Sequence, residues 1–195
     1  GKERNGGMEL SAGVGDAVGG GEVVCIAEGR PTGHNGKVEM TDVKSAVRDV
    51  ADAMNGYCVI VLKSTVPPGS NRRLEAMVRG RAAHPFDLVS NPEFLKEGTA
   101  VTDFMHPDRV VVGARSERAR TAMRQMYNPF FRTGFRLMET DPESAEMIKY
   151  ASNIMLAARI SIMNELAGVC QAVGADVERV RIGVGLDRRI GSSFL

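Results

Sequence analysis

Five short apolar runs, at 23–27, 57–62, 86–89, 109–112 and 135–138, are interleaved with segments of helical period at 41–54, 69–78 and 116–126. An apolar run bounded by turn residues reads as a buried strand. Strands that alternate with helices build an α/β domain around a parallel sheet. The expected fold is therefore part of a doubly wound parallel sheet, with helices on both faces. Such sheets take their ligands at the carboxyl ends of the strands. Two polar turns stand at those ends: Lys63-Ser64-Thr65-Val66-Pro67-Pro68-Gly69, and Ser90-Asn91-Pro92-Glu93-Phe94-Leu95-Lys96-Glu97-Gly98.

The character changes after residue 140. Asp141-Pro142-Glu143 is a strong helix start, with an N-cap acid, proline at the first position and a second acid in the first turn. No breaker follows until Gly168, and Gly174 is the expected stop. A helix over 142–173 would run about 48 Å at 1.5 Å per residue, far longer than a typical globular helix. Such a helix bridges domains or subunits. A short helix at 177–181 follows it. At 41–54, Thr41 or Asp42 is the expected N-cap. The glycine-rich residues 1–21 read as a poorly ordered lead-in, with a short helix near 14–18.

The net charge of +1 argues against a nucleic-acid or anionic-membrane surface as partner. No apolar run approaches the length of a membrane span. The cysteines, Cys25, Cys58 and Cys170, are odd in number and widely spaced, which suits free thiols in a reducing, cytoplasmic compartment. All three read as small buried residues, not nucleophiles. His34, His84 and His106 are scattered, so no metal site is expected.

Each motif has a plain reading beside the functional one. Gly13, Gly15 and Gly19 imitate a dinucleotide loop, yet they precede the strand at 23–27 where such a loop must follow one. The Lys63–Gly69 turn, stiffened by two prolines, serves equally as a structural turn or as hydroxyl donors to a cofactor phosphate or a sugar. If Pro92 starts a short helix, Glu93 and Glu97 share a face and one could act as a base. Spacing alone favours two solvated acids there. Lys149 and Asn153 share a helix face and suit a developing oxyanion, though a lone helical lysine is usually exposed. Arg179, Arg181, Arg188 and Arg189 form a basic cluster, most simply a solvated face.

As a set, these motifs resemble the nucleotide-sugar 6-dehydrogenases, the UDP-glucose/GDP-mannose dehydrogenase family. The matching segments are Val23-Val24-Cys25-Ile26-Ala27, the two polar turns, Pro107-Asp108-Arg109-Val110-Val111-Val112-Gly113, residues 144–153, Asn164-Glu165 and residues 187–195. Pro107-Asp108-Arg109-Val110 tilts the expected substrate toward UDP-glucose; GDP-mannose and UDP-N-acetylhexosamines are the alternatives.

The resemblance implies an NAD-dependent, four-electron oxidation of a sugar C6 alcohol to a carboxylate, through a cysteine thioester. It implies that residues 22–139 are the C-terminal part of a Rossmann-like NAD-binding domain. Residues 140–195 would be a central helical linker domain that pairs two subunits into a homodimer through helix 142–173. By motif, Thr65 would position the substrate hydroxyl or a water, and Glu93 would assist proton transfer and thioester hydrolysis. Lys149 and Asn153 would stabilise the C6 oxyanion. Ser64, Thr65 and Glu97 would lie against NAD. Phe94, Leu95 and Lys96 would border the UDP-sugar, with Glu93 and Glu97, and Arg189 would reach the substrate of a neighbouring subunit. Arg30 stands where the family has a cofactor-contacting threonine. The family's own glycine-rich loop and its GGSCF-type cysteine motif do not occur among these residues. The 195 residues are therefore expected to be a central piece that alone neither binds NAD tightly nor turns over UDP-glucose. A non-catalytic dimerisation or regulatory module is the alternative of a different class.

Overall fold

A computed structural model describes residues 13–29, 39–96, 98–133 and 136–195. Five strands form one sheet in the order β1-β2-β3-β4-β5: Val23–Ile26, Cys58–Leu62, Phe86–Ser90, Arg109–Gly113 and Arg136–Thr140. The helices are α1 (Val14–Val18), α2 (Thr41–Ala53), α3 (Ser70–Arg79), α4 (Ala100–Met105), α5 (Glu117–Tyr127), α6 (Pro142–Val173) and α7 (Val177–Gly185). A 3-10 turn at Asn128–Thr133 follows α5. The chain divides into two compact units that meet within α6, one ending at Lys149 and the other running from Tyr150 to Leu195.

In the first unit β2 is buried along its whole length, as a continuous apolar strand must be when helices cover both faces. Its alternate side chains enter two separate cores. Cys58, Ile60 and Leu62 pack with Val43, Val47, Val50 and Ala51 of α2 and with Leu74 and Val78 of α3. Val59 and Val61 pack with Ala119, Met123 and Tyr127 of α5. The α2 residues fall at the spacing that puts them on one helix face. The doubly wound expectation is thus met.

The sheet is mostly parallel, with one exception. β1, β2 and β3 run parallel, and β4 runs parallel to β5, but β4 meets β3 antiparallel through the single pair Ser90↔Gly113. An antiparallel step needs no crossover over a sheet face. The 91–108 connection is freed from that duty, and it carries Glu93. The close approach of α6 explains the glycine that ends β4. A Cβ at Gly113 would stand 2.6 Å from Pro142 Cα and 2.7 Å from the Asp141 carbonyl oxygen.

Helix α6 is 32 residues long, as its sequence requires. Asp141 caps it, accepting from the Ser144 amide at 2.7 Å. The start of α2 differs from expectation: Met40 occupies the N-cap, and no side chain caps that helix. Cys58 and Cys170 are buried, but Cys25 is exposed, because β1 is the edge of the sheet and α5 covers the strands toward its other side. Among the described residues no helix is long and apolar enough to cross a membrane, and no three metal-ligating side chains cluster. Gly13 and Gly19 flank α1 and Gly15 lies within it, all ahead of β1, so they do not form a strand-to-helix phosphate loop.

Candidate functional site

The register Leu62↔Ser90 brings the turns after β2 and β3 out of the sheet side by side. The Asn91 amide extends that pairing by donating to the Leu62 carbonyl at 2.9 Å. After β2 the chain holds Ser64 and Thr65 buried. The Ser64 hydroxyl donates to the Glu28 carbonyl at 2.8 Å, tying the β2 turn to the end of β1. After β3 the chain stays irregular through residue 96, and the next helix starts only at Ala100. Pro92 therefore does not open a helix.

Glu93 is the centre of the arrangement. Its Oε2 accepts from the Leu95 amide at 2.7 Å, which sets the carboxylate's direction. Its Oε1 faces the Thr65 hydroxyl, which donates at 3.5 Å, and the Lys149 Nζ at 3.4 Å. Lys149, which spacing alone left as an exposed lysine, is only 7% exposed. The Phe94 ring is flanked by two cations, with the Arg109 guanidinium 4.0 Å and the Lys149 Nζ 5.3 Å from its centroid. Thr65, Pro92, Glu146 and Lys149 line a small cleft. A carboxylate, a hydroxyl and a buried ammonium gathered in this way can accept a proton, hold a hydroxyl or water, and stabilise an oxyanion.

The sequence model described as UDP-glucose/GDP-mannose dehydrogenase family, NAD binding domain, matches residues 2–131, and that of the family's central domain matches residues 143–195. The chain belongs to the UDP-glucose/GDP-mannose dehydrogenase family. A UDP-glucose 6-dehydrogenase of Bacillus subtilis is 44% identical over 89% of this chain and 38% of its own length. One from Pseudomonas aeruginosa is 42% identical over 95% of this chain and 41% of its own. Among solved structures, a UDP-glucose dehydrogenase from Pyrobaculum islandicum superposes with a TM-score of 0.88 at 38% identity, covering 94% of this chain and 43% of that one. A GDP-mannose dehydrogenase from Pseudomonas aeruginosa superposes at 0.84 with 26% identity, covering 92% and 42%. The chain spans about two fifths of the length of these relatives.

Not every expected residue of this dehydrogenase-family chain joins the cleft group. Glu97 and Arg30 lie outside the described residues. Leu95 and Lys96 are exposed, and Lys96 Nζ pairs with Asp103 at 3.6 Å. Asn153 lies on α6 one turn after Lys149; it belongs to the second unit and is exposed. Arg189 is also exposed in that unit, where its guanidinium pairs with Asp187 at 2.7 Å. Arg159 donates to the Ile190 and Gly191 carbonyls at 2.8 Å there, which fastens the residues around Arg189 to α6.

Four residues were not singled out as site residues from the sequence. Asn91 is almost fully buried. Its Oδ1 accepts from the Tyr127 hydroxyl at 2.5 Å and from Lys63 Nζ at 3.1 Å, and its Nδ2 donates to the Val111 carbonyl at 2.7 Å. This one side chain joins β2, β3, β4 and α5 at the root of the Glu93 loop. Burial pushes the Lys63 ammonium below its ordinary pKa and the Tyr127 phenol up to about 12. Glu146, the fourth, is a carboxylate on α6 whose burial raises its pKa. It stands three residues before Lys149, a spacing that shares a helix face and was readable as such.

At the ends of β1 and β2 a carbonyl-anchored hydroxyl and a buried threonine stand where a cofactor could be held. They do not make a diphosphate cradle. Among the described residues no strand runs directly into a glycine-rich turn and helix.

Proposed function

We propose that this chain supplies the Thr65–Glu93–Lys149 group of an NAD-dependent dehydrogenase that oxidises UDP-glucose at C6 to UDP-glucuronate. The observation that carries the proposal is the Glu93 carboxylate held between the Thr65 hydroxyl and the buried Lys149 ammonium. Bound NAD would accept hydride. Lys149, joined by Asn153, would stabilise the oxyanion at C6. Glu93 would take the proton that leaves the alcohol and later direct water, and Thr65 would hold that hydroxyl or water. Ser64, Thr65 and Glu97 would lie toward the cofactor, with Arg30 near it, and Phe94, Leu95 and Lys96 would border the sugar nucleotide. The choice of UDP-glucose is supported by the 44% and 42% identity to enzymes bearing that name.

The test is a chimaera in which residues 22–195 replace the matching segment of the Bacillus subtilis relative. NADH formation is followed with UDP-glucose, GDP-mannose and a UDP-N-acetylhexosamine. The folded chimaera should prefer UDP-glucose, and Lys149→Ala should cut its kcat about 10²–10³-fold, as loss of an oxyanion donor does. Preference for GDP-mannose would overturn the substrate assignment.

Helix α6 supports a second element of the proposal, a homodimer formed through 142–173 in the cytoplasm. In the second unit Met155 is 65% and Ile162 is 58% exposed, and Ile154, Val169 and Val173 are exposed too. Apolar side chains repeated along one helix call for a partner. Sedimentation should show a concentration-dependent dimer that Ile162→Glu weakens, and a wild-type chain that stays monomeric would refute pairing.

A further inference from the structure

We infer that Glu146 is the positioning residue of this site: its carboxylate ties the first turn of α3 to α6 and so sets Thr65 opposite Lys149. The inference rests on the reading of Thr65, Glu93 and Lys149 as the reacting group.

Helix α3 begins without a cap of its own. Gly69 occupies the N-cap in the left-handed region at φ 82° and brings no side chain to cap the helix, and no acid stands in its first turn. The exposed amides of a helix N-terminus need acceptors and favour negative charge. Glu146 supplies both from a distant part of the chain. Its Oε2 accepts from the Gly69 amide at 2.5 Å and its Oε1 from the Asn71 amide at 2.7 Å. The side chain is almost completely buried, with the residue only 3% exposed, and a buried carboxylate persists only when its oxygens are satisfied.

Two rigid links convert that clamp into positioning. Between Gly69 and Thr65 stand Val66, Pro67 and Pro68, whose proline φ angles are fixed by their rings. The Ser70 amide also donates to the Pro67 carbonyl at 3.0 Å. A held Gly69 therefore holds Thr65. On the other side, Lys149 is three residues after Glu146 on the same helix, and both line the cleft with Thr65. The 3.5 Å and 3.4 Å spacings from Glu93 to Thr65 and Lys149 then depend on one carboxylate. An N-terminal cap alone would need only a short polar residue at position 69. Drawing it from α6 joins the two elements that carry the reacting side chains.

Burial raises the Glu146 pKa, so the clamp has a proton-dependent signature of its own. The charged groups of the surrounding network are Arg72 and Glu75 on α3, Glu93 after β3, Arg115 after β4, and Glu143 and Lys149 on α6. The Glu146 side-chain carboxyl carbon must therefore be followed directly, by NMR on the isotope-labelled 195-residue chain. In the wild type, the Gly69, Asn71 and Thr65 amide resonances should shift with the midpoint of the Glu146 carboxyl carbon. In Glu146→Gln that step should vanish. Amide exchange at Gly69 and Asn71 should accelerate at least tenfold, with Ile60 and Val61 changing less than twofold. A Thr65 amide that ignores the Glu146 midpoint in the wild type overturns the inference, even if the variant fails to fold. In the chimaera, Glu146→Gln should lower kcat at least tenfold with KM within threefold; a rise in KM at unchanged kcat also overturns it. If the chimaera oxidises no UDP-glucose, the substrate assignment fails, and the NMR titration still decides the role of Glu146.

Discussion

Replacing Asn91 with leucine should destabilise the sheet unit by about 2–4 kcal/mol. The side chain is 1% exposed and makes three hydrogen bonds, to the Val111 carbonyl, the Tyr127 hydroxyl and the Lys63 ammonium. Leucine fits the volume but offers none of them. Losing the donor to the Val111 carbonyl costs about 1–3 kcal/mol, and a bond to a charged partner such as Lys63 about 1.5–3 kcal/mol. Lys63 Nζ and the Tyr127 hydroxyl retain each other at 3.2 Å, which offsets part of that loss. Urea unfolding followed by circular dichroism should show a lower midpoint at an unchanged slope. The melting temperature should fall by about 5–15 °C for a chain of this size. In a double-mutant cycle with Tyr127→Phe, the two losses should couple by about 1 kcal/mol, as contacting residues do. A loss under about 1 kcal/mol, or strictly additive effects, would refute the role of Asn91 as the hub of these strands.

Gly113→Ala should lower the melting temperature by about 5–10 °C, since the new Cβ meets backbone atoms of 141 and 142 that cannot turn aside. A change under about 2 °C would show that α6 yields there. The Tyr127 phenol, raised to about 12 mainly by burial, keeps its proton in the native state past the ordinary tyrosine range near 10. Its contribution to stability is full below about 10 and is lost as pH rises toward about 12, because there the native state binds more protons than the unfolded one. Urea titrations from pH 9 to 12 should show a shallower alkaline decline in Tyr127→Phe than in the wild type. Equal slopes would remove Tyr127 from that linkage.

The local structure was legible because its causes are local. Cys58–Leu62 is a short β-branched apolar run and the α2 valines carry the helical period, and each element formed where that pattern placed it. Asp141-Pro142 and Gly174 bracket a helix of the expected length, and Ser116 caps α5 through the Ala119 amide. The short α4, Ala100–Met105, and the 3-10 turn after α5 were not read, because neither is long enough to display a period. Within the site, Thr65, Glu93 and Lys149 were chosen from motifs that resemble a family. Spacing in sequence argued for a solvated Glu93 and Lys149 and left the Thr65 turn undecided, and only the fold brings the three side chains together.

By itself the sequence determined which segments are strands and helices, where the two polar turns fall, and which family the chain joins. Those features depend on neighbouring residues and on motif chemistry. The tertiary structure decided that β4 turns antiparallel to β3, that Lys149 is buried, and that Asn91 and Glu146 hold the site together. Each of these is a pairing between segments far apart in the chain. The Glu146 clamp on α3 spans 77 positions to Gly69, and the Asn91 bond to Tyr127 spans 36. Burial and hydrogen-bond satisfaction belong to such pairs of segments, so no single stretch of residues displays them.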